Sequence, residues 1–147
     1  MNITILCTGN LKEKYLKEAE KEYLKRLSKY AKVTVTETKE YEDIEKEGAE
    51  LLKKIKNDSF VIALAILGEQ MSSTELSSYI EGLGIKGESD VTFVIGGSDG
   101  LSSKVLERAD STLSFSKLTF PHQLIRIFLL EQIYRSFKII KNEPYHK

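Results

Sequence analysis

Eight consecutive apolar residues, Phe60-Val61-Ile62-Ala63-Leu64-Ala65-Ile66-Leu67, restrict the folds open to this chain more than any other stretch. A strand with one wet face alternates apolar and polar residues. An unbroken run of this length fits a central strand covered by helices on both sides. Its surroundings keep the matching rhythm. Asn2 to Thr8 is a β-branched strand, and Gly9-Asn10 turns it into a helix from Leu11 to about Ala31. On that helix Leu16, Ala19, Tyr23, Leu27 and Tyr30 share a face. Val33 to Thr38 reads as a second strand and Asp43 to Lys56 as a second helix, with Ile44, Leu51, Leu52 and Ile55 inward.

Beyond the apolar run, Gly68-Glu69-Gln70-Met71 reads as a loop. Ser72 and Glu75 then form a capping-box signature for a helix ending near Leu83. After the polar link Lys86 to Asp90 come a strand (Val91 to Ile95), a short helix (Ser102 to Ala109) and a strand (Thr112 to Phe115). Pro121 opens the last helix. The order βαβαβαβαβα, with short connections, predicts an α/β fold: a parallel sheet flanked by helices. No linker divides the chain, so residues 1–147 are expected to form one domain.

Charge excludes one class of partner at long range. The 22 Lys and Arg balance 22 Asp and Glu, so the whole chain does not attract nucleic acid. Locally the balance breaks: Lys14, Lys17, Lys21 and Lys25 recur at helical spacing, whereas Glu37 to Glu50 is acidic. Solvated helix faces are the plain reading of such runs. Cys7 is alone, no signal peptide is visible and no stretch is long and apolar enough to span a bilayer. A cytoplasmic protein without membrane contact is expected. One Cys and two His give no metal cluster.

The last helix is apolar nearly all round, with Leu124, Ile125, Phe128, Leu129, Ile133 and Phe137 spread over its circumference. Such a helix needs more cover than one face of a sheet supplies. A homodimer packing through this helix would provide it; burial within the monomer is the alternative. Arg126 and Arg135 are isolated charges on that helix. They fit RNA phosphate or intersubunit contacts, or ordinary ion pairs with Glu131 or another acid.

In open parallel sheets, ligands bind beyond the carboxyl ends of the strands. Two loops fall there: Gly96-Gly97-Ser98-Asp99-Gly100, and Ser116 to Phe120. The first admits three readings. It is a glycine turn permitting positive φ, or a dinucleotide loop with the wrong spacing, or the G-x-S-x-G elbow of a serine hydrolase. Asp110 and His122 even follow Ser98 in hydrolase order. Against the hydrolase, no HGGG-like segment exists and Asp110 precedes its strand. The tail Asn142-Glu143-Pro144-Tyr145-His146-Lys147 is an end that would ordinarily fray. Yet Tyr145 can stack on a base and His146 can move a proton near neutrality.

With LSFSKLTFPHQLIRIFLLEQIYRSFKI and the closing PYHK, the chain resembles the ribosomal RNA large-subunit methyltransferase H family of the SPOUT superfamily. The likeness runs from NITILCTGNLKEKYL through VIGGSDGL to the last residue, with a short segment between the second strand and second helix. It implies a C-terminal trefoil knot, a homodimer, and S-adenosylmethionine as methyl donor without a metal. It also implies methylation at N3 of a pseudouridine in large-subunit (23S) ribosomal RNA, in assembled ribosomes. By position, Leu64, Gly96, Phe115, Ser116, Lys117, Leu118, Thr119 and Phe120 should surround the cofactor. Leu64, Phe115, Leu118 and Phe120 suit apolar walls, and Gly96 permits close backbone approach. His146 is then the candidate general base and Tyr145 the holder of the base ring. A non-catalytic dimeric RNA-binding module stays open beside the hydrolase.

Overall fold

A computed structural model describes all 147 residues as ten alternating elements. They are β1 (Asn2–Thr8), α1 (Lys14–Leu27), β2 (Lys32–Thr38), α2 (Ile44–Lys53) and β3 (Phe60–Gln70). There follow α3 (Ser73–Ile85), β4 (Asp90–Ile95), α4 (Ser103–Arg108), β5 (Ser111–Ser114) and α5 (His122–Ile140). The strands form one parallel sheet in the order β2-β1-β4-β3-β5. The expected α/β architecture is therefore present, with every strand end that carries a loop of interest on one edge.

Strand alternation sorts the core into two layers. Ile3, Ile5 and Cys7 of β1, with Val91, Phe93 and Ile95 of β4, face α1, α3 and α5. Leu6, Val61 and Val94 face the other way, onto Leu51 of α2 and Val105 of α4. Each fully buried side chain of this size contributes about 1.5–3 kcal/mol. Burial also raises the Cys7 thiol to about 12, so it stays protonated near neutrality.

Several boundaries differ from the sequence reading, α2 among them with its end at Lys53, and three are informative. α1 begins at Lys14, because Leu11 is spent as a buried anchor against Leu16 and Ile127. It ends at Leu27, where Ser28 closes a turn onto Leu24 and Lys25. The third difference matters more. β3 does not stop at Gly68: Leu64 and Glu69 both pair with Leu113 of β5, and Gln70 pairs with Ser114. Residues 65–68 thus leave the ladder and rejoin it around a single partner. Gly68 sits at the pinch, where a Cβ would lie 3.0 Å from Ala65 and Leu113 backbone atoms. Glu69 and Gln70 of the expected loop are therefore strand, and the irregularity falls earlier, as a four-residue excursion at 65–68 within the run expected to be continuous, a form of bulge. The capping box of α3 forms as its residues imply, with Ser72 and Glu75 bonded reciprocally at 3.1 and 2.9 Å.

α5 lies between α1 and α3, which accounts for most of its apolar circumference. Leu129, Leu130, Ile133, Tyr134 and Phe137 enter the main core, and Ile127 enters the small cluster under α1. The exposed remainder is concentrated near its start, where Phe128 is 43% exposed. No helix is long and apolar enough to cross a membrane.

Candidate functional site

A cleft of about 910 Å³ opens beyond the carboxyl ends of β3, β4 and β5. Leu64 and the excursion behind it form one wall, and Gly96 to Leu101 form the second. The third is the segment from Ser114 to Pro121, closed off by His122 and Ile125 in the first turn of α5. The size falls within the range of small-molecule sites, and the lining is mostly apolar with polar backbone at its rims.

The glycine turn is shaped by its own backbone. The Gly100 N–H donates to the Gly97 carbonyl at 3.0 Å, and Gly100 adopts φ +81°. A Cβ on Gly96 would fall 2.5 Å from the Gly100 carbonyl oxygen. Glycine is required at 96 by the closure of this turn, a reason distinct from the close ligand approach that the sequence suggests. The loop after β5 is held by two serines. Ser114 Oγ donates to the Ser116 carbonyl at 3.0 Å, and Ser116 Oγ accepts the Leu118 N–H at 3.0 Å. Phe120 is set edge-on against Phe128 at 5.9 Å.

Of the eight residues expected around a cofactor, seven border this cleft: Leu64, Gly96, Phe115, Ser116, Leu118, Thr119 and Phe120. Lys117 does not. It stands exposed at the loop's tip, turned outward by the Ser116 bonds. Sequence reasoning missed the contribution of Ile66 and Leu67, which line the cleft from the β3 excursion. A strand read as ending at a glycine gives no sign of a detour. His122 also lines the cleft, although the sequence offered it only as a hydrolase base.

The hydrolase constellation does not assemble. Ser98 is in the cleft, but Asp110 lies at the opposite, amino-terminal edge of the sheet. There its carboxylate accepts the Val61 N–H at 2.8 Å and pairs with Arg108 at 3.4 Å. His122 Nε2 is buried without a hydrogen-bond partner, with Glu40 3.9 Å away. A nucleophile, base and orienting acid must be in mutual reach, and these three are not.

Both arginines take the ion-pair alternative. Arg126 is 2% exposed and donates to Glu37 at 2.7 Å, Glu20 at 3.2 Å and the Gly9 carbonyl at 3.0 Å. A buried fork tying α5 to β2, α1 and the β1 turn is unavailable to RNA phosphates. Arg135 pairs with Glu131 at 2.6 Å, and it also holds the tail.

That tail is ordered against its own protomer. Glu143 accepts the Tyr30 hydroxyl at 2.8 Å, and Tyr145 packs edge-on to Tyr134 at 4.9 Å beneath the Arg135 guanidinium. Burial, then nearby Glu131, raises the Tyr145 phenol, so it stays protonated near neutrality. Arg135 Nη1 lies 3.0 Å from His146 Nδ1. Arg135 is 13 residues beyond His122 on one helix, about 20 Å along the axis. Tyr145 and His146 therefore do not join the cleft of their own chain, and neither borders it.

A family model described as "Predicted SPOUT methyltransferase" matches residues 1–146. Over 159 aligned positions and the whole of both chains, this protein is 55% identical to ribosomal RNA large subunit methyltransferase H of Clostridium tetani. It is 52% identical, again over both full lengths, to proteins of that name from Clostridium perfringens and Clostridium kluyveri. The chain belongs to the SPOUT methyltransferases, in the ribosomal RNA large-subunit methyltransferase H family. A solved structure from Haemophilus influenzae, described as a probable methylase family protein, has the same fold. It superposes with a TM-score of 0.61 over 99% of this chain and 70% of that one, at 11% identity.

The cleft presents no group of three potential metal ligands, and neither does the rest of the chain. It offers mostly apolar side chains, with Ser98, Asp99, Thr119 and His122 among the polar ones, a lining that suits a flat heterocycle and an aliphatic chain carrying polar ends. In this SPOUT chain the first turn of α5 closes the cleft, and Arg126 locks that turn to the opposite half of the sheet.

Proposed function

We propose that this protein methylates N3 of a pseudouridine in large-subunit (23S) ribosomal RNA, in assembled ribosomes, with S-adenosylmethionine as donor. One observation supports the reading above others. Seven residues nominated from sequence, scattered from Leu64 to Phe120, border one cleft of about 910 Å³. Relatives at 52–55% identity are named ribosomal RNA large subunit methyltransferase H, which supports the substrate class. In this reading Leu64, Phe115, Leu118 and Phe120 hold the cofactor's apolar surfaces, and the Gly96 and Ser116 turns meet its polar edges through backbone. The cofactor supplies an electrophilic methyl group. The protein's part is to align the nucleophilic nitrogen, which accounts for much of the acceleration in such reactions.

The tail belongs in the cleft of a second copy. A homodimer is supported by the apolar groups left around the cleft: Leu67 is 99% exposed, Leu118 68% and Phe128 43%. Beside them a hollow of about 360 Å³, lined by Met71, Leu76, Phe120 and Phe128, is shaped to receive side chains. Tyr145 then packs on the substrate ring. His146 was a candidate base, but its geometry favours a different task. Arg135 can only donate, so Nδ1 must accept and the proton resides on Nε2. Such an imidazole presents an N–H to a carbonyl oxygen of the base and orients the ring. The same reading places residues 1–147 in one domain, gives the carboxyl-terminal part its trefoil knot, and puts the protein in the cytoplasm.

The deciding experiment is transfer of labelled methyl from S-adenosylmethionine to intact ribosomes, compared with separate subunits and free RNA. Label in 23S RNA at a pseudouridine, greatest with intact ribosomes, is expected. No transfer with any of the three substrates, despite ligand binding, would leave the RNA-binding module as the better account.

A further inference from the structure

The molecule is neutral overall, yet one face of α1 is not. Lys14, Lys17, Lys21 and Lys25 are all exposed. At 3.6 residues per turn they fall in an arc of roughly 80° and span about 16 Å along the helix. Of the acids of α1, Glu18 faces Lys14 at the start of the row at 3.9 Å, while Glu20 is bonded to Arg126 and Glu22 to Arg26. No carboxylate lies within ion-pair distance of Lys17, Lys21 or Lys25. Lys25 sits in the last turn, where a cation favours the helix dipole. Lys17 and Lys21 have no such local reason.

The row also has an address. α1 leaves the carboxyl end of β1, on the same sheet edge as the cleft. The Lys12 N–H donates to Gln123 Oε1 at 3.1 Å, beside the cleft wall at His122. The lysines therefore start next to the cleft and run down the side of the molecule. A protein partner would be a poor match, since lysine is depleted from protein interfaces and this row contains no aromatic or apolar anchor. A polyanion with regularly spaced charges suits unpaired, flexible ammonium groups.

We propose that the Lys17-Lys21-Lys25 face of α1 is a docking surface for RNA phosphates flanking the methylated nucleotide. This rests on the proposed function for the identity of the RNA, though not for the charge of the partner. The test uses the full-length protein with intact ribosomes. A Lys17→Gln, Lys21→Gln, Lys25→Gln triple variant should raise the ribosome KM about tenfold at physiological salt and flatten the slope of log K against log salt by about 2–3. Its calorimetric affinity for S-adenosylmethionine should match wild type, its thermal midpoint should stay within about 4 °C given the loss of the Lys25 charge from the last turn, and the triple Lys→Arg variant should restore the slope. An unchanged slope and KM in the Gln variant would overturn the proposal. A benzophenone side chain in place of Lys21 should cross-link to RNA; adducts with ribosomal protein alone would also overturn it. If wild type bound ribosomes through these lysines without methylating them, the proposed function would fail and this surface would stand.

Discussion

Arg135 holds His146 from the Nδ1 side: the guanidinium Nη1 is 3.0 Å from that nitrogen, while its Nε is bonded to Glu131 at 2.7 Å. The acid fixes the arginine, and the arginine, which can only donate, leaves Nδ1 as the acceptor and Nε2 as the N–H of the neutral ring. An imidazole so held is a donor, and a glutamine amide can imitate a donor but not a base. His146→Gln is therefore expected to keep at least about a tenth of wild-type kcat, whereas losing a general base removes 10²–10⁴-fold. His146→Ala should fall well below the Gln variant. The comparison is made by single-turnover methyl transfer across pH, and a Gln variant as inactive as Ala would restore the base assignment.

The separation of tail and cleft within one chain leads to a complementation experiment. A chain lacking Tyr145 to Lys147 should bind S-adenosylmethionine normally and transfer no methyl. A second chain carrying Gly96→Val should be equally inactive. In a twofold-symmetric dimer, equal mixing makes half the dimers hybrid, and each hybrid holds one complete site. Co-refolded mixtures are thus expected to recover about a quarter of wild-type activity. No recovery would mean that each tail swings into its own cleft.

Gly96 separates two explanations for a glycine at this turn. If its role were only to admit ligand, Gly96→Ala would weaken binding and leave stability alone. Its Cβ would instead meet the Gly100 carbonyl at 2.5 Å, so the turn must open. A loss of about 1–3 kcal/mol in denaturant unfolding, as for other overpacked sites, should accompany at least tenfold weaker S-adenosylmethionine binding. Ser98→Ala, on the same turn, should stay within about 0.5 kcal/mol of wild type and retain methyl transfer.

Periodicity carried the strands and helices because their packing depends on side-chain alternation, which local sequence records. Leu6 and Val94 against Ile5 and Phe93 is such a case. The β3 excursion escaped because Leu64 and Glu69 share one partner, Leu113, from a strand more than forty residues later. Nothing local encodes that pairing. The cleft residues were nominated by family likeness, and spacing alone would have left GGSDG as easily a hydrolase turn. What removed that option was distance: Asp110 is committed to Val61 at the far edge of the sheet. Arg126 was ambiguous for a similar reason, since its acids come from α1 and β2.

Arg126 supplies a prediction that separates structure from RNA contact. Removing one partner of a buried pair costs about 3–5 kcal/mol; with Glu37 41% exposed, water recovers part of that. Arg126→Met should therefore destabilise by about 2–4 kcal/mol in urea unfolding. Arg126→Lys should recover little, because an ammonium cannot reproduce the fork to Glu37, Glu20 and the Gly9 carbonyl. The salt dependence of ribosome binding, measured below the unfolding transition, should not change. A flatter salt slope with intact stability would return Arg126 to the RNA surface.

Phe128 tests what covers the cleft's apolar rim. Its ring is 43% exposed and steadies Phe120, and it lines the neighbouring hollow with Met71 and Leu76. In a monomer, replacing a half-exposed phenylalanine by a charge changes little beyond that one contact. In a dimer it places a carboxylate in a desolvated interface, where an unpaired charge costs several kcal/mol. Phe128→Asp is thus expected to shift the protein from dimer to monomer in sedimentation velocity, with the helical circular dichroism retained. If, as proposed, the tail serves the cleft of a second copy, methyl transfer should disappear with the dimer while ligand binding weakens less. A wild-type protein that sediments as a monomer at micromolar concentration would remove both the interface and the shared site.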